Sequence, residues 1–193
     1  PLEMLADHDA TLPIIATNRA AWEGGEAAET WRIEALESAL EHNSVAAIDV
    51  ELTALEADGN GDTDRARSLV DAAGDAGASV VVSTHDFEST PRREVLSDRL
   101  RRAAERGDVG KIAVTATDRA DALSVLAVTH ELSAEGLAVA TMAMGEAGRH
   151  TRAVAPVYGS KIGYAPVDPA NATAPGQYDL ETLRSLVEQL SAA

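Results

Sequence analysis

The sequence predicts an α/β fold in which parallel strands are covered by helices, and three observations predict it. Short β-rich runs alternate with amphipathic helical stretches throughout the 193 residues. The runs are nearly continuously apolar, as strands buried on both faces are. No linker, low-complexity segment or repeat beyond the βα period interrupts the pattern, so residues 1–193 read as one domain. A (β/α) barrel and an open doubly wound sheet both satisfy this.

Residues 12–17 (LPIIAT) form the first expected strand, followed by a helix over 26–42 with Ile33, Leu36 and Leu40 on one face. Residues 46–52 (AAIDVEL) make the second strand, and 63–76 a helix that aligns Ala66, Leu69, Val70 and Ala73. The third strand is 79–84 (SVVVST), and the helix behind it runs over 91–106, with Pro91 suited to its first turn. Residues 109–115 are a fourth strand with a helix at 118–134. Residues 137–143 are a fifth, and 162–165 a weaker sixth. The chain closes on a helix over 179–190 carrying Leu183, Leu186, Val187 and Leu190. Asp58 to Asp62 imitates the opening of a calcium loop. Its sixth position is Thr63 and its twelfth Leu69, so it reads as a turn leading into a helix.

Composition removes several classes of function. The formal charge of -16 repels phosphate backbones and anionic membranes, so neither nucleic acid nor membrane is expected as a partner. No apolar run approaches the roughly 20 residues of a membrane span, and no secretory signal opens the chain. Without cysteine there are no disulfides or thiolate metal sites, and a cytoplasmic address is expected. Only Lys111 and Lys161 are lysines, against 14 arginines. Such an acidic, lysine-poor chain looks like cytoplasmic proteins of salt-loving microbes, where salt screens self-repulsion. No glycine-rich phosphate loop follows the first strand, so nothing points to a nucleotide. No cofactor and no metal are expected; His8, His42, His130 and His150 share no ligand spacing and read as surface residues.

Polar residues gather at the carboxyl ends of the strands, where α/β folds build their sites. Arg19 and Glu23 follow the first strand, Asp49 and Glu51 share one face of the second, and His85-Asp86 follow the third. Gly145 and Arg152 come after the fifth. Lys111 lies within the fourth, in VGKIAVT, where an ammonium must be desolvated. In a chain that has nearly replaced lysine by arginine, a retained strand lysine points to a task that guanidinium cannot perform, attack as an amine. Lys161 has no such setting and reads as structural or as a modest contact.

At these residues the chain resembles the type I 3-dehydroquinate dehydratases. The segments that carry the resemblance are Arg19-Ala-Ala-Trp-Glu23-Gly-Gly, Asp49-Val-Glu51-Leu, Ser83-Thr-His85-Asp-Phe with Thr90-Pro91, and Gly110-Lys111-Ile-Ala. Met144-Gly145 leading to Thr151-Arg152, Gly159-Ser160, and Ala174-Pro-Gly-Gln177 complete them. The resemblance implies a (β/α)8 TIM barrel, of which about six βα units stand in this chain. It also implies dehydration of 3-dehydroquinate to 3-dehydroshikimate by syn elimination through a lysine imine, in the shikimate pathway of aromatic amino-acid biosynthesis. On that pattern Lys111 forms the imine, His85 shuttles the proton, and Glu23 supports the histidine. Arg19, Arg152, Thr173 and Gln177 bind substrate. A homodimer is the family expectation.

The chain opens at Pro1 in what resembles the segment after the family's second strand, and it is shorter than the roughly 250 residues usual for the barrel. An N-terminally truncated barrel is therefore expected. Two other readings fit the residues: another lysine-imine barrel enzyme of aldolase type, and a truncated barrel without activity.

Overall fold

The computed structural model describes residues 12–27 and 29–191. They divide into two compact units, one running through Thr84 and including Arg106–Asp108, the other made of His85–Glu105 and the residues from Val109 on.

The first unit is built on three parallel strands, β1 (Ile14–Thr17), β2 (Val45–Glu51) and β3 (Ser79–Asp86), the last running two residues past the unit boundary. Helices α1 (Glu29–Ala39) and α2 (Thr63–Asp75) pack against each other and against β1 and β2. Ile33, Leu36, Ile48, Val50, Leu69 and Val82 are buried. The calcium-loop mimic is a turn whose last residue, Asp62, caps α2 by accepting from Arg65 N at 3.1 Å. Register decides what β2 and β3 present together, since Asp49 pairs with Val81 and Glu51 with Ser83. Asp49, Glu51 and Ser83 thus share one face, opposite Ile48 and Val50.

In the second unit β4 (Val109–Thr115) and β5 (Val139–Met144) pair in parallel, flanked by α3 (Arg93–Ala104) and α4 (Arg119–Ala134). One face of the strand pair is the hydrophobic core, in which Ile112, Val114, Val139 and Ala143 meet Leu96, Leu100, Val125, Val128 and Leu132. On this face Thr141 and Thr129 share a 2.6 Å hydrogen bond inside the core. The other face carries Lys111 beside Ala140 and Ala113 beside Met142. Asp118 closes a capping box with Asp121 at the start of α4. Helix α5 (Leu180–Ser191) opens on Asp179, which accepts from Thr182 N at 2.8 Å, and it buries only Leu183 fully.

Several expected boundaries move. Among the described residues there are five strands, not six. The stretch 162–165 is not a strand, and contact with β5 is a single parallel bridge between Ser160 and Val139. Gly163 brings little β preference, and Pro166 has no N–H to donate to a ladder. The helix expected from residue 26 has Glu29 as its first described residue, residue 28 lying outside the described ones. Ala27 is instead extended and bridged to Ala20. Pro91 precedes the N-cap residue Arg92 instead of entering the first turn of α3. His85 and Asp86 belong to β3 itself.

Candidate active site

In the first unit, Arg19 leaves the end of β1 and enters a cluster of charges. Its guanidinium donates to Asp49 Oδ1 at 2.7 Å, to Glu51 Oε1 at 3.1 Å and to Ser83 Oγ at 2.6 Å. Ser83 in turn donates to Asp49 at 2.6 Å. Glu51 also accepts from the Ala20 backbone N–H at 2.8 Å and from Arg32 at 2.5 Å. Asp49, Glu51, Arg32 and Ser83 are all essentially without solvent exposure. Such burial is tolerated because two guanidinium groups face two carboxylates with their hydrogen bonds made. Burial alone lowers the Arg19 pKa, but the carboxylates of Asp49 and Glu51, with a smaller contribution from Glu23, outweigh it and hold it above its ordinary value. Glu23 is itself 5% exposed, on the short turn Ala21–Glu23. The two glycines after it are needed for packing. Gly24 is left-handed with φ 80°, and a Cβ on Gly25 would lie 1.9 Å from the Arg19 carbonyl.

In the second unit, Lys111 stands on β4 with 6% exposure. Its Nζ lies 4.7 Å from the centre of the Tyr164 ring. The neighbour in register on β5 is Ala140, a small and fully buried residue. His85 ends β3 half-buried and stacks on Phe87 with ring centres 6.0 Å apart. The loop after it is tied to the end of β4: Thr90 Oγ1 donates to the Thr115 carbonyl and Thr115 Oγ1 to the Phe87 carbonyl, each at 2.9 Å. Asp86 accepts from Ser89 N at 2.9 Å and pairs with Arg99 at 3.7 Å. The threonine of the H-D-F-x-x-T-P motif thus fastens the loop that carries the histidine.

Arg152 is presented by the one-turn helix Thr151–Val154, which Thr151 latches to β5: its Oγ1 accepts from Ala143 N at 2.9 Å and donates to the Gly148 carbonyl at 2.8 Å. The guanidinium is buried, donating to the Pro175 carbonyl at 3.2 Å and touching Met142 Sδ at 3.7 Å. Burial lowers its pKa. Its Nε has no hydrogen-bond partner among the described residues, and Arg152 lines a small cavity shared with Thr141, Ser160 and Tyr164. Gln177 folds the A-P-G-Q loop on itself, with Oε1 accepting from Thr173 N at 2.9 Å and from Ala174 N at 3.3 Å. Gly176, at φ 77°, rides so close on Gly145 that a Cβ would stand 2.8 Å from its carbonyl oxygen. Arg152, Thr173 and Gln177 are therefore brought together on one loop system.

The family model described as type I 3-dehydroquinase matches residues 2–193. This chain belongs to the type I 3-dehydroquinase family. It is 65% identical over 191 residues to a 3-dehydroquinate dehydratase of Haloarcula marismortui, covering 98% of this chain and 82% of that one. Among solved structures, a 3-dehydroquinate dehydratase from Geobacillus kaustophilus superposes with TM-score 0.83 at 29% identity, over 93% of this chain and 68% of that one. The type I enzyme from Clostridium difficile, solved with covalently modified comenic acid, gives 0.85 at 27% identity, over 99% and 74%. The fold class, an α/β chain of the (β/α)8-barrel family, is thereby borne out.

The sequence does not single out Arg32, Met142 or Tyr164 as site residues, and Ser83 stands in it only as part of a motif. For Arg32 a signal existed: two strand carboxylates, Asp49 and Glu51, against one nearby arginine leave a negative charge to be balanced. For Tyr164 none did, because its segment was read as a strand. Lys161 is exposed and donates only its backbone N–H to the Val139 carbonyl, as the structural reading has it. His130 and His150 are exposed and His42 is half-exposed, while His8 lies outside the described residues. No helix among the described residues is long and apolar enough to cross a membrane.

Proposed function

We propose that this hydro-lyase dehydrates 3-dehydroquinate to 3-dehydroshikimate through an imine on Lys111, as a biosynthetic enzyme of the shikimate pathway. Family membership over residues 2–193 supports the reaction. The observation that carries the route is Lys111, one of two lysines in the chain, buried on the face of β4 opposite the hydrophobic core.

The amine lone pair attacks the ketone carbon, and the carbonyl oxygen, taking one proton from the nitrogen and one from the acid form of His85, departs as water and leaves a protonated imine. That cation is a far better electron sink than a ketone, so the α-proton becomes removable. His85 takes the α-proton, and the electron pair moves toward nitrogen to give an enamine. The enamine pushes out the β-hydroxyl, to which His85 returns the proton, and a second water hydrolyses the imine to free Lys111. One water is lost overall. A histidine suits both directions because its ordinary pKa lies near neutrality.

Arg152, whose charge is fixed and whose guanidinium can fork onto two oxygens, is assigned the substrate carboxylate. Thr173 and Gln177, on the loop that Arg152 touches, are assigned substrate hydroxyl and carboxylate contacts. Glu23 is assigned the support of the histidine, and Arg19 a substrate contact from its carboxylate-paired position. We further assign a cytoplasmic address and a homodimer, which sedimentation in concentrated salt would test.

Borohydride reduction in the presence of 3-dehydroquinate, followed by peptide mass mapping, tests the route. A single adduct is expected on the peptide containing Lys111, and none in Lys111→Ala. An adduct elsewhere, or turnover by Lys111→Ala, refutes it.

A further inference from the structure

We propose that Tyr164 is a positioning residue for the reacting amine, its ring face fixing Lys111 Nζ for attack on the carbonyl carbon. The proposal deepens the imine reading above and rests on it. A lysine side chain has four rotatable bonds, and an amine that samples them all seldom meets a bound ketone in line. Something must hold it. Burial on β4 restrains the stem of Lys111, and the Tyr164 ring lies 4.7 Å from the terminal nitrogen.

The chain builds this contact deliberately. Ser160 pins the segment to β5, accepting from Thr141 N at 3.0 Å through its hydroxyl, while Lys161 N donates to the Val139 carbonyl at 2.8 Å. The segment then leaves the sheet instead of continuing as a strand, and this departure carries Tyr164 over the face where Lys111 stands. The register neighbour of Lys111 is Ala140, small enough to leave room for the ring. Tyr164 also borders the small cavity that holds Arg152, so one side chain touches the nucleophile and the surroundings of the carboxylate-binding arginine.

The ring face attracts a cation within about 6 Å of its centre and shields it from water on that side. The nitrogen bears positive charge as ammonium and again as protonated imine. As the C–N bond forms and the carbonyl oxygen leaves as water, the nitrogen stays against the same surface. The ring takes no part in the proton transfers. Its contribution is geometric, and a reacting atom displaced by about 1 Å loses up to roughly a hundredfold in rate.

The test compares Tyr164→Phe and Tyr164→Leu in the full chain, by single-turnover formation of the borohydride-trapped Lys111 adduct. Binding of the alcohol made by reducing the substrate's ketone, which cannot form an imine, is measured alongside. Tyr164→Phe should form adduct at close to the wild-type rate. Tyr164→Leu should be slowed roughly ten- to a hundredfold, with alcohol affinity changed by less than about twofold. If the leucine variant does not fold, Tyr164→Met, long and flexible but without a ring, should show the same loss. Adduct formation by the leucine or methionine variant at the wild-type rate overturns the proposal, as does an equal loss in Tyr164→Phe. Absence of a Lys111 adduct in the wild-type chain instead overturns the imine reading itself, and the two failures are told apart by that control.

Discussion

Replacing Glu51 by glutamine keeps the side chain's volume and removes its charge, and the buried arginines should make the loss severe. Glu51 is the hub of the charge cluster, accepting from Arg19, from Arg32 and from the Ala20 backbone. Arg32 has no solvent exposure, so its guanidinium cannot recover hydration when its partner carboxylate becomes a neutral amide. Breaking a buried pair by neutralising one member costs about 3–5 kcal/mol. Asp49→Asn is the internal comparison. Arg19 keeps Glu51 and has a side chain 14% exposed, and an amide oxygen at position 49 can still accept from Ser83, so the loss is mainly that of the charged bond from Arg19, about 1.5–3 kcal/mol. Urea unfolding at fixed salt measures both, and the midpoint should move with little change in slope. The double variant Arg32→Met with Glu51→Gln should recover part of the deficit, since the charge buried at position 32 is then removed while the amide oxygen still accepts from Ala20 N. A Glu51→Gln deficit below about 1 kcal/mol, or one smaller than that of Asp49→Asn, would refute the view that Glu51 holds the cluster together.

Two further outcomes are expected. Gly176→Ala places a Cβ at a φ of 77° and 2.8 Å from the Gly145 carbonyl, so the loop touching Arg152 must shift; kcat/KM should fall roughly ten- to a hundredfold, and thermal unfolding should drop by a few degrees, as a strain of about 1–2 kcal/mol requires. Hydrogen bonds from Arg101 hold the Glu135 carboxyl below its ordinary 4.5, and bonds from Thr182 hold Asp179 below 3.8. Their stabilisation is therefore complete above those ordinary values and is lost as pH falls toward the lowered ones. The stability advantage of wild type over Asp179→Asn, followed by thermal unfolding, should accordingly be constant near neutrality and shrink below about pH 4; a gap unchanged in acid would remove the cap from the account.

The sheet was legible where its strands are dense in β-branched residues. Residues 79–84 and 109–115 read correctly because valine and isoleucine leave no helical alternative there. The 162–165 stretch misled because a short apolar run carries no information about whether a neighbour's ladder is free to receive it. Lys111 was legible through scarcity, one retained amine among guanidiniums. His85 and the A-P-G-Q loop were legible only as family motifs, since neither has a periodicity or spacing that chemistry alone would single out. Arg32 was hidden because a charged residue on an amphipathic helix reads as solvent-facing, and only the count of carboxylates on β2 argued otherwise. Tyr164 was hidden because its place follows from where the chain leaves the sheet, a tertiary property.

The near-absence of lysine makes the protein an unusually clean substrate for amine chemistry. Apart from the chain terminus, an acylating reagent meets two side-chain targets, Lys161 in open water and Lys111 behind an aromatic ring. A dye or surface tether aimed at amines will settle on Lys161 first and leave the catalyst working, while slow acylation of the second amine reports, molecule by molecule, how often the interior opens.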